Sequence, residues 1–126
     1  MHVLRNMVRA VRPGGVVLDL QVIRPNPLVE VDGRVVCEID GEPLFRLADA
    51  AAAAVDSFVA TGRLIAEAVD DHDVLKHYAN GADLVDDFAE KERRVPGEAI
   101  APLRSVVTPC VMRERCRLRR LRVPPV

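Results

Sequence analysis

A Pro-Gly-Gly turn joins two segments of opposite periodicity, and it constrains this chain more than any other feature. Before it, Val3, Leu4, Met7, Val8 and Val11 recur at helical spacing with Arg5 and Arg9 between them, which predicts an amphipathic helix. Pro13 disfavours a helical conformation in Arg12, and Gly14-Gly15 allows a sharp reversal, so the helix must stop at Arg12. After the turn, residues 16–23 read Val-Val-Leu-Asp-Leu-Gln-Val-Ile, which is β-branched and apolar on both parities. That pattern predicts an interior strand covered on both faces.

Further along, Asp32-Gly33 inside the alternating stretch 28–39 predicts a small hairpin at the side of the sheet, because both positions of such a turn want positive φ. Leu44, Leu47, Ala51, Val55, Phe58 and Val59 mark an Ala-rich helix over 44–60, closed by Thr61-Gly62. Periodicity alone leaves 63–78 open between helix and strand. A short helix over 82–92, a linker over 96–102 and a terminal strand over 106–123 complete the expectation.

Composition narrows the classes of function. The chain has 126 residues, enough for one domain with one core, and is 49% hydrophobic and 29% charged, which marks a globular rather than a disordered chain. The opening helix lacks the unbroken apolar core of a signal peptide, and no stretch reaches the roughly 20 apolar residues of a membrane span. Three cysteines without C-x-x-C spacing suggest neither a disulfide framework nor a zinc site, so a soluble protein in a reducing cytoplasm is expected. Ser57 and Ser105 lie outside any G-x-S-x-G turn, and neither lysine sits in a phosphate-binding loop.

Two clusters invite a site. His72 and His77 stand among Asp70, Asp71 and Asp73, but five residues apart they point away from each other on a strand or a helix. No metal is expected. The arginines at 113, 115, 117, 119, 120 and 122 resemble a nucleic-acid patch, yet nine acids lie between Glu67 and Glu92. An antiparallel neighbour would set those acids opposite the arginines, and with a net charge of −1 and only four aromatic residues this internal pairing is favoured over nucleic acid.

Leu4 through Leu18, with the Pro13-Gly14-Gly15 turn at its centre, resembles the helix, turn and fifth strand of class I S-adenosylmethionine-dependent methyltransferases. The order of the later elements agrees, and the resemblance implies that 63–78 is a strand. It also implies a partial Rossmann-like α/β sheet of mixed direction, with two antiparallel strands closing it and the last strand lying between the other two. The family's cofactor loop and its ribose-binding acid belong upstream of Leu4, and the seven glycines never form G-x-G, so no cofactor-binding residue is carried over. The resemblance therefore implies a C-terminal half, 1–126 as a single unit, inactive alone. S-adenosylmethionine is the cofactor of the full-length family and is not expected to bind this chain by itself. Catalytic residues stay unassigned. Gln21 and Arg24, at the carboxyl end of strand 16–23, are the nearest substrate-side residues. The side of that strand where a fourth strand would lie should be open, so self-association or pairing with another chain through it is the expected partnership; a non-catalytic remnant or regulatory module that pairs through this edge is the rival reading.

Overall fold

The computed structural model describes residues 2–91 and 93–126. Its elements are α1 (His2–Ala10), β1 (Val16–Val22), β2 (Leu28–Val31), β3 (Arg34–Glu38), α2 (Glu42–Ala60), β4 (Ile65–Tyr78), α3 (Gly81–Phe88), α4 (Gly97–Arg104) and β5 (Cys110–Arg122). The region that periodicity left open, 63–78, is a strand from Ile65 to Tyr78, decided by its pairing to β5; nearly all of β4 is exposed, so neither apolar repeat is imprinted on it.

β5 is the spine of the sheet. Along one edge it pairs with β4 over its whole length, from Ile65↔Arg122 to Tyr78↔Cys110. Its other edge is shared end to end: β1 lies against Cys116–Arg122 and β2 against Cys110–Arg113. The last strand thus lies between β1 and β4, antiparallel to both. β2 continues into β3 through Asp32 and Gly33, whose φ values of 52° and 76° are those of the expected two-residue turn.

Three expectations need correction. The sheet is not mixed in direction, because every pairing among the described residues is antiparallel; β1 and β4 run the same way but β5 separates them. The hairpin is not a side element, since β2 bonds directly to β5. The stretch 96–102 is not a linker: Pro96 caps α4, and Pro102 lies inside it. In so short a helix one missing donor removes little of the ladder, and the described residues form four helices rather than three.

The sheet divides the apolar interior in two. On one face α1 and α2 cover Val17, Val55, Phe58, Leu64, Leu121 and Val123. On the other face, at the opposite end of β5, α3 and α4 cover Val29, Ile39, Tyr78, Leu84, Phe88, Leu103 and Met112. Alternation along β5 supplies both, with Met112 and Cys116 facing one way and Leu121 the other. The single core expected from chain length is therefore two clusters, one on each side of a shared strand.

The Pro-Gly-Gly turn locks the first cluster. Gly14 has φ of +81°, and its N–H donates to the Val123 carbonyl at 2.9 Å, while its carbonyl accepts from Arg122 Nη1 at 2.6 Å. A Cβ on Gly15 would fall 2.9 Å from the Arg12 carbonyl oxygen and closer still to Val11. One glycine supplies the reversal and the other the close approach.

Candidate functional site

Among the described residues β1, β3 and β4 each have an outer edge with no strand beside it, and that of β1 lies beside α1 and α2. Gly15 accepts from Val123 N–H and Ile23 N–H donates to the Arg115 carbonyl, both at 2.9 Å, so the odd residues between them also bond inward to β5. The N–H and C=O groups of Val16, Leu18, Leu20 and Val22 therefore point outward, with no strand beside them among the described residues. Apolar side chains flank this bare ladder on both faces. Val3 and Met7 of α1 and Leu47 of α2 are exposed at 74%, 42% and 58% on the helix side, and Leu18 and Leu20 are exposed at 59% and 55% on the other. β1 was expected to be covered on both faces; only the face carrying Val17 is, because this chain supplies no helix over Leu18 and Leu20.

A groove runs along that edge between the helices and β1, lined by Val3, Met7, Val17, Asp19, Gln21 and Leu47. Within it Gln21 Nε2 donates to Asp19 Oδ1 at 2.9 Å. Asp19 Oδ2 is shut away from solvent and finds no donor. A buried carboxylate oxygen without a partner is costly.

Gln21 and Arg24, the residues named from sequence, have different surroundings. Gln21 faces the groove. Arg24 is engaged elsewhere: its Nη2 donates to Glu42 at 2.8 Å, its Nη1 to Asp49 at 3.1 Å, and its guanidinium lies 4.9 Å from the Phe45 ring centre. Those contacts clamp the first turns of α2 onto the end of β1 and raise the Arg24 pKa, the Glu42 hydrogen bond contributing most.

The arginine strand is paired internally. On the face of β5 that carries the odd positions, Arg117 reaches Asp71, Arg115 reaches Asp73, Arg113 reaches Glu30 and Asp73, and Arg119 reaches Asp56 on α2. On the other face Arg120 and Arg122 share Glu67. Acids of β4 stand opposite arginines as expected, but Glu30 and Asp56 come from outside the acidic stretch. Asp86 and Asp87 bond to Arg104 and to Lys76 and Lys91 instead, and Glu92 lies outside the described residues. The arginine hydrogen bonds hold Glu67, Asp71 and Asp73 below the usual carboxylate range.

His72 and His77 lie on opposite faces of β4, and His72 Nδ1 sits 2.9 Å from Asp70. Among the described residues no group of three or more histidine, cysteine or acidic side chains gathers around a common point. Burial raises the thiol pKa of Cys37, Cys110 and Cys116, which suppresses the thiolate and makes them packing residues. Sequence reasoning missed one cluster. Asp87 Oδ2 accepts from Tyr78 at 2.5 Å, Lys91 at 2.9 Å and Lys76 at 3.0 Å, tying α3 to β4. Only the i, i+4 spacing of Asp87 and Lys91 was visible in the sequence.

Among the described residues the positive-φ glycines lie before β1, in the hairpin and after α2, and none forms a glycine-rich turn from the carboxyl end of a strand into a helix. Among the described residues no helix is long and apolar enough to cross a membrane. No protein-family model, no curated protein and no solved structure matches the chain. The fold therefore defines the class: among the described residues, an α/β protein built on an open, five-stranded antiparallel sheet in which β1, β3 and β4 are edge strands.

Proposed function

We propose that this chain is the sheet-closing half of a class I S-adenosylmethionine-dependent methyltransferase, and that the outer edge of β1 is where the rest of the sheet joins. One observation carries the reading: β5 threads between β1 and β4, antiparallel to both, and β1 itself directly follows a helix and a Pro-Gly-Gly turn. The bare ladder of β1 and the uncovered Leu18 and Leu20 support it, since a strand of a parallel sheet needs a neighbour and a cover on each face. The residues present do not fit the cofactor, so methyl transfer belongs to the assembled sheet. In that assembly this half contributes closure and part of the acceptor pocket, with Gln21 on the substrate side and Arg24 fixing the loop beyond it.

A second reading keeps the edge and drops the enzyme: a non-catalytic module that pairs with another chain through β1. It is favoured by the apolar flanks of the edge, which suit strand addition of any origin. Calorimetric titration of S-adenosylmethionine separates the two. The methyltransferase reading expects no binding by these 126 residues and saturable binding by the product of the reading frame extended upstream of Met1. Binding by the chain alone, or an upstream frame encoding no strand and glycine-rich turn, contradicts it.

A further inference from the structure

We infer that these 126 residues, taken alone, close the β1 edge with a second copy of themselves, β1 against β1, on a two-fold axis through Leu20. The inference rests on the reading that the sheet continues at this edge, and it commits to occupant, direction and register.

The direction follows from symmetry. A two-fold axis perpendicular to the sheet makes the two β1 strands antiparallel and keeps α1 and α2 of both copies on one side. Residues of like parity then stand opposite each other, because alternate side chains share a face. The outward groups are those of Val16, Leu18, Leu20 and Val22, so an even-numbered centre gives a closed pair of backbone hydrogen bonds at the axis itself.

The register follows from Asp19. With the axis at Leu20, Asp19 of each copy faces Gln21 of the other, and Leu18 faces Val22. The Gln21 amide has a second N–H beyond the one given to Asp19 Oδ1, and an amide is a compatible cross-strand neighbour for a carboxylate. The pairing makes that juxtaposition twice. Sliding the strands so that the axis falls on Asp19 sets two carboxylates against each other, which is destabilising. Sliding further, to Leu18, leaves Asp19 facing Val17 and shortens the ladder. The flanks agree with the same axis. Val3, Met7 and Leu47 are exposed along the same groove, so the two-fold sets apolar side chains of both copies on one side of the joined ladder. Upstream residues on the same polypeptide that supplied a strand would take the ladder first, and the pairing is therefore a property of the 126-residue chain.

Light scattering on the eluting chain should report twice 13.9 kDa. Leu20→Lys, at a position 55% exposed in the single copy, should keep the helical and strand signal in circular dichroism while eluting as a monomer. In a Cys37→Ser background, Asp19→Cys and Gln21→Cys proteins should form a disulfide-linked dimer when mixed and oxidised, several-fold faster than either oxidised alone. A monomeric parent, a dimer that survives Leu20→Lys, or faster cross-linking of Asp19→Cys with itself would overturn the inference. Those outcomes leave the methyltransferase reading standing, since that one falls only on the cofactor titration.

Discussion

Arg117 and Asp71 stand directly opposite each other on β5 and β4, and the guanidinium donates to both carboxylate oxygens, Nε at 2.8 Å and Nη2 at 2.9 Å. The planar fork of arginine matches a carboxylate in this two-point way, so the pair fixes orientation as well as distance. With the single contact of Arg115 to Asp73 and the sharing of Glu67 by Arg120 and Arg122, it specifies the register of an otherwise exposed pair of strands.

Acid should loosen this part of the fold. Glu67, Asp71 and Asp73 have folded pKa values below their ordinary 4.5, 3.8 and 3.8, each chiefly through its arginine hydrogen bonds. A depressed folded pKa gives stability that is present above the unfolded value and lost as pH falls through the folded one. The thermal midpoint should be flat from about pH 7 to about pH 5 and fall below about pH 4. In 1 M salt the fall should be shallower, because exposed pairs are screened. A midpoint that stays flat down to pH 2 contradicts the pairing.

Replacing Arg115, Arg117 and Arg122 together by glutamine should lower the thermal midpoint and leave any affinity for duplex DNA or RNA as it was in the parent. Loss of a measured nucleic-acid affinity with the midpoint unchanged would mean that the arginines are a binding surface rather than a register device. Fluorescence anisotropy with a labelled duplex, run beside calorimetry, gives both readings.

Gly81 is where α3 meets α4. A Cβ there would overlap the Leu103 carbonyl, and its own N–H donates to Val106 at 3.0 Å. Gly81→Ala should destabilise by about 1–3 kcal/mol, the usual penalty of overpacking. Gly97, at the start of α4, has open space around its Cβ position and no positive φ. Gly97→Ala should be neutral or stabilising by about 0.5 kcal/mol. Denaturant melts of the two variants test the contrast, and equal effects would refute it.

Tyr78 is the chain's one tyrosine, and there is no tryptophan, so its ionisation can be followed without interference. Burial first, and the hydrogen bond to Asp87 second, push its pKa up to about 12. Absorbance of the phenolate should therefore appear with a midpoint near 12 rather than 10. A raised folded pKa gives stability that is complete below the unfolded value, so unfolding should become easier as pH rises from about 10 to about 12. A native titration at pH 10 would show that the Asp87 cluster is not formed.

How much of this was legible depends on where each signal lives. The helix, turn and strand at the start, the hairpin at Asp32-Gly33 and the acid-against-arginine ladder rest on local residue chemistry, and each stands in the structure where local rules put it. β4 was ambiguous because an exposed strand carries no burial period, and only its pairing to β5 decides it. α4 was hidden by Pro96 and Pro102, read as loop formers although one sits at a helix cap and the other in a helix of eight residues. The Arg24 clamp and the Asp87 cluster join side chains from different elements, and no spacing along one element could announce them.

Amide hydrogen exchange on a dilute, monomeric sample, such as the Leu20→Lys protein, bears most directly on the open edge of β1. Val17, Asp19 and Gln21, which bond inward to β5, should exchange slowly, while Leu18 and Val22 on the same strand should exchange at rates close to those of an unstructured peptide. Equal protection of all five amides would mean that the strand already has a neighbour on both sides, and the sheet would then have no vacant place to fill.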